Sequence, residues 1–149
     1  MVGNYKHTQF GYLIATLLII GIILIMFLMK FYGFDWIAFI VLIILVICLF
    51  LFSALTISIN NDILKISFGI GLIRKEFLLK DIESCRIVKN PWYYGWGIRL
   101  TPYGWLYNVS GFYAVEIKLK TGERYRIGTD VPYELEKVIQ ESIEKLKKQ

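Results

Sequence analysis

Histidine is nearly absent from this chain of 149 residues: His7 is the only one. Cysteine is scarce too, with Cys48 inside an apolar run and Cys85 near a strand pattern. Neither spacing suits a metal site or a disulfide framework, so both read as small buried filler. With one histidine, placed before any folded segment, no Ser-His-Asp or Cys-His set can be assembled. The Gly-x-Gly in "FGIGLIRK" is followed by no helix signal and fails the phosphate-loop pattern. Asp130 and Glu134 read as helix-start residues rather than an acid/base pair. An enzyme is therefore not expected, nor a metal, nor any cofactor. "NVS" at residues 108–110 matches a glycosylation acceptor, which would be inert on a cytoplasmic face.

Charge is the next absence. Residues 10–29 carry none, and neither do residues 36–55. The first run holds 13 Leu, Ile, Phe or Val and the second 15. Twenty helical residues reach about 30 Å, the thickness of a bilayer core. The link between the runs is short, so the sequence predicts an antiparallel transmembrane hairpin within a segment 1–54. Hydrophobic residues make up 56% of the chain and mean hydropathy is +0.55, which suits a membrane class. The first run is too long for a cleaved signal peptide, and no small-x-small site follows it. Lys6 precedes the hairpin and Lys65, Arg74 and Lys75 follow it, while the link offers Lys30 offset by Asp35. The positive-inside rule then puts both termini in the cytoplasm of a two-span cell-membrane protein. No ionisable residue interrupts either run, which favours an anchor over a transport route.

From Leu55 the period becomes two. "LTISIN" and "ILKISFG" turn Leu55, Ile57, Ile59, Leu64, Ile66 and Phe68 to one face, joined by the turn residues "NND". "GLIRKEFLL" and "SCRIVKN" read as two more strands. In "YAVEIKLKTGERYRIGT" a three-residue loop, Lys120-Thr121-Gly122, sets Ile117 opposite Tyr125 and Val115 opposite Ile127. On the outer face Glu116 meets Arg126 and Lys118 meets Arg124, leaving Lys118, Lys120 and Arg124 as a small basic cluster. It is either an anion site or an ordinary solvated face. The last segment is an amphipathic helix with Asp130 as candidate cap, Pro132 in the first turn, and Leu135, Val138, Ile139, Ile143 and Leu146 as its stripe.

Residues 90–111 gather three of four tryptophans and four of ten tyrosines, with Arg99 as the sole charge. Four readings compete. The rings fill a core, sit at a membrane interface, anchor a protein partner, or stack on nucleic acid. The last is least favoured, because a single arginine makes no basic groove. The candidate interface comprises Trp92, Tyr93, Tyr94, Trp96, Arg99 and Trp105, with Lys118, Lys120 and Arg124.

"GWGIR" (95–99), "YNVSG" (107–111) and "IGTDVP" (127–132) carry a resemblance. Residues 55–149 resemble the bacterial pleckstrin-homology-like domains, which occur fused to a transmembrane hairpin. The resemblance implies an α+β head: a bent antiparallel sheet or open barrel capped by the terminal helix. It carries no catalytic residue. Phosphoinositide recognition needs a dense basic pocket at the first strand turn, where this chain has Asn60-Asn61-Asp62. The expected function is a non-catalytic, membrane-anchored binding or scaffold module. Its partner would be a protein, a second copy or anionic lipid. An anionic headgroup sensor is the alternative, and a lipid-modifying enzyme a distant third.

Overall fold

A computed structural model describes residues 4–149. The first element among the described residues is a strand, β1 (Tyr5–Phe10), which the sequence did not announce. Its inward residues are Tyr5, His7 and Gln9, so the face that docks is polar-tipped and the usual apolar alternation is missing. Helices α1 (Tyr12–Tyr32) and α2 (Trp36–Phe52) follow, then strand β2 (Ala54–Asn60). β1 and β2 are antiparallel neighbours, with Phe10 opposite Ala54 and Tyr5 opposite Ile59. Gly11 N–H donates to the Ser53 carbonyl at 2.8 Å, one step beyond that ladder. The helical pair is thus an insertion between two adjoining strands. Phe10, expected to open the first span, is the last residue of β1, and Ala54 and Leu55, expected to end the second, belong to β2.

No residue of either helix is buried. α1 has 21 residues and a mean hydropathy of 2.9, long and apolar enough to cross a membrane; α2 carries no charge but stops at 17. Asp35 caps α2, its carboxylate accepting from Ala38 N–H at 2.9 Å. A side chain at Gly21 would touch Leu45 Cδ1 at 3.4 Å, so the two helices approach there.

β2 continues through a two-residue turn, Asn61 and Asp62, both at positive φ (48° and 65°), into β3 (Ile63–Phe68). Asn and Asp tolerate that region better than other side chains. With β4 (Ile73–Leu78) these strands form an antiparallel sheet ordered β1-β2-β3-β4. A second sheet comprises β5 (Ile82–Lys89), β6 (Gly97–Thr101), β7 (Gly104–Asn108), β8 (Tyr113–Leu119) and β9 (Arg124–Gly128). Its order is β5-β8-β9-β7-β6. The expectation of one antiparallel sheet is corrected on two counts: there are two sheets, and β7 runs parallel to β9. The β8–β9 register agrees with the sequence reading, Val115 facing Ile127 and Ile117 facing Tyr125. Gly122 closes the turn at φ 94°.

The core lies between the sheets. Leu55, Ile57, Ile59, Leu64, Ile66 and Phe68 from the first sheet meet Val115, Ile117, Tyr125 and Ile127 from the second. Each such aliphatic side chain removed from water contributes roughly 1.5–3 kcal/mol. Helix α3 (Pro132–Lys147) lies over β5 and β8, and buries Leu135, Ile139 and Ile143 with Val138 and Leu146 at the margin. Asp130 does not cap it. That carboxylate is engaged by His7 Nε2 at 2.6 Å, while Thr129 Oγ1 accepts from Val131 N–H at 3.1 Å. The histidine expected to lie ahead of any folded segment therefore ties β1 to the start of α3.

Candidate functional site: the aromatic base of the head

The aromatic stretch divides by depth, not by face of the sheet. Tyr107 points from β7 into the core, between Phe68 and Tyr125 at ring separations of 6.2 and 6.5 Å. Trp105, two residues earlier and paired with Leu100, is exposed. After β5 the chain makes a single 3-10 turn, Trp92–Tyr94, in which Trp92 and Tyr93 are 77% and 67% exposed, too open for a core role. Gly95 and Gly97 then adopt positive φ (67° and 97°), a bend open to glycine. The bend tucks Trp96 into a half-buried position 6.4 Å from the Phe112 ring. Tyr107 thus fills the core, while Trp92, Tyr93 and Trp105 are open to solvent.

The half-buried end of this stretch meets the helical pair. Ile14, Leu18, Cys48 and Phe52 form one wall of a groove of about 550 Å³, and Trp96, Ile98 and Arg99 form the other. Arg99 lies exposed, its Nε donating only to the Trp96 carbonyl at 3.3 Å, and no carboxylate pairs with it among the described residues. The indole Nε1 of Trp96 is buried without a hydrogen-bond partner. The β3–β4 turn reaches the same region. A Cβ at Gly69 would collide with the Phe50 and Leu51 carbonyls, so this turn abuts the end of α2. Exposed Ile70 and Leu72 on that turn, with exposed Phe10 and Tyr12 opposite, continue the apolar rim around the helix bases.

The expected basic cluster is not brought together as free charge. Lys118 pairs with Glu83 at 2.9 Å, and Arg124 lies 3.9 Å from Glu116. Lys120 remains an exposed side chain at the β8–β9 turn. Glu116 and Arg126, expected on a solvated face, are buried instead. Arg126 Nε donates to Glu116 at 2.9 Å and its Nη1 to Asn90 Oδ1 at 2.8 Å, under the Tyr103 ring 4.4 Å away. Arg86 from β5 completes the set at 2.8 Å. The sequence pairing of Glu116 with Arg126 carried half of this network. The other half needs β5 and the β6–β7 turn to close over it.

Nucleophile chemistry is weak in the head. Burial, reinforced by Glu136, pushes the Cys85 thiol up to about 11, so little thiolate forms near neutrality. Burial, then Glu134 and Asp130, pushes the Tyr5 phenol up to about 12. Among the described residues no cluster of three His, Cys, Asp or Glu could hold a metal. A second groove, about 650 Å³ on the outer face of the first sheet, is lined mostly by polar residues, with Lys65 already paired to Glu76 at 3.2 Å. Asn108 is buried, bonding the Gly111 carbonyl at 3.0 Å, which removes it as a glycosylation acceptor. Compared with family models, curated proteins and solved structures, the chain has no match in any of the three.

Proposed function

We propose that the protein is a non-catalytic binding or scaffold module, anchored by a two-span hairpin and held with its head against the cytoplasmic face of the cell membrane. The single observation that carries this reading is the seam between helices and head. Two helices with no buried residue emerge from one β-ribbon, with exposed Phe10 and Tyr12 where α1 starts, exposed Ile70 and Leu72 on the turn that abuts the end of α2, and the Gly95–Arg99 segment of the head against both helices. Aromatic rings with polar tips prefer the headgroup zone, and an apolar rim of this kind has a reason to exist only beside lipid or a partner. The sole charged side chain in either helix is Lys30, in the last turn of α1, where it can reach the far interface. Seventeen residues fall at the short end of spanning lengths, so α2 crosses with little tilt.

Two sheets packed face to face with a terminal helix over one side also support the pleckstrin-homology-like reading of the head, a fold that serves many binding functions. The paired state of Lys118 and Arg124 argues against the headgroup-sensor version built on that turn. Protease protection tests the topology: in sealed inside-out vesicles the Lys147–Gln149 tail should be cleavable, and in right-side-out vesicles protected. Crosslinking in native membranes tests the module: a consistent protein neighbour or self-adduct is expected. A lone, uncrosslinked chain would count against a scaffold role.

A further inference from the structure

We propose that the groove between the helix bases and Trp96–Arg99 is a binding site for one anionic phospholipid of the surrounding leaflet. The inference rests on the membrane-anchored reading and names the ligand of that seam. The two walls differ in chemistry along their length. Ile14, Leu18, Cys48 and Phe52 offer an apolar track on the helices. Leu18 lies six residues past Tyr12, about 9 Å along the axis at 1.5 Å per residue. The track therefore descends from the headgroup level into the acyl region. The head wall ends in Arg99, a guanidinium without a carboxylate partner, and in the buried, unpartnered indole N–H of Trp96.

A buried donor without an acceptor is uncommon, and each instance calls for a ligand or water. An amphiphile satisfies all three features at once. One acyl chain lies on the helix track, the phosphate accepts a charge-assisted bond from Arg99, and a phosphate or ester oxygen accepts from Trp96 Nε1. A helix from a second copy would cover the apolar track equally well, yet it would leave the guanidinium and the indole N–H without acceptors. Charge complementarity thus selects the lipid.

The test uses the full chain, reconstituted in vesicles of equal phosphatidylcholine and phosphatidylglycerol, extracted in mild detergent and weighed by native mass spectrometry. Wild type should retain one phosphatidylglycerol in preference to phosphatidylcholine. Arg99→Gln should lower that preference about tenfold, the effect of one charge-assisted contact. Trp96→Phe, which keeps a ring but removes the N–H, should lower lipid retention several-fold. Lys145→Gln, on exposed α3 surface, should change nothing. An unaltered preference in Arg99→Gln overturns the proposal, as does a Cys48–Cys48 disulfide joining two copies under mild oxidation. Alkaline carbonate extraction separates the two readings. A chain released by carbonate sinks the anchored reading and the site with it, whereas a chain that stays in the membrane without lipid preference sinks the site alone.

Discussion

The helical pair and the head use the same aliphatic residues to opposite ends. Ile57 in β2 is 1% exposed, while Ile44 in α2 is 52% exposed. The side chains are identical, and the difference is what alternates with them. In β2 each Ile or Leu is followed by Thr, Ser or Asn, so one face can turn to water while the other meets a second sheet. In α1 and α2 no polar face exists, so no packing within the chain can shelter one side. The lesson is that hydrophobicity alone does not distinguish a core strand from an unburied apolar helix; its period does.

The most drastic way to break this comparison is to delete one side of it. Gly11 and Ser53 already form the closing backbone pair of the β1–β2 ribbon. Replacing residues 12–52 with Asn-Gly, a two-residue turn like the existing Asn61-Asp62 link, should give a folded head. Gel filtration without detergent should change from aggregate to a discrete peak, with the β-rich circular dichroism retained. A head that stays insoluble would mean that the two regions are energetically inseparable. A fragment starting at Ser58 should fare much worse, because it lacks β1 and its ties to α3.

The next largest effect lies within the head. Glu116→Ala leaves Arg126 buried beside Arg86 without its carboxylate, and should cost about 3–5 kcal/mol of head stability. Thermal unfolding in detergent, followed by near-ultraviolet circular dichroism, measures the loss. Membrane retention should not change. A sharper contrast makes one substitution in both regions: Ile57→Ala should cost the head about 2–5 kcal/mol, and Ile44→Ala should leave its midpoint where it was.

The smallest expected effect is a pH slope. Burial raises Cys85 from 9.0 to about 11 and Tyr5 from 10.0 to about 12, so both remain protonated in the fold while the unfolded chain ionises. Their contribution is whole below about pH 9 and declines as pH rises to about 12, since the unfolded state releases protons first. Both groups are partly open to solvent, which keeps the slope shallow. Cys85→Ala should remove its lower part, between about pH 9 and 11, in midpoints recorded across that range.

Legibility in the sequence followed side-chain chemistry. The β8–β9 register was readable because Val115, Ile117, Tyr125 and Ile127 admit one loop length that keeps them on a common face. β1 was not, because two of its three inward residues dock through polar ends, His7 on Asp130 and Gln9 Nε2 on the Ser110 carbonyl at 3.0 Å, and only Tyr5 packs on the core. β6 and β7 were hidden because the rings of Trp105 and Tyr107 fall on one face of β7 and only Tyr107 is covered there, so burial does not alternate. The groove joins residues 14, 18, 48 and 52 to residues 96–99, a proximity that no local pattern encodes.

By itself, the order of residues determined that uncharged helices precede a β-rich segment ending in an amphipathic helix, because hydrophobic period is a local property. Only the tertiary structure decided that β1 closes the first sheet, that Glu116 and Arg126 leave water, and that Trp96 and Arg99 face the helix bases. Those outcomes depend on which surfaces meet, and contact between distant segments is fixed by the total free energy of packing, to which each residue contributes only a part.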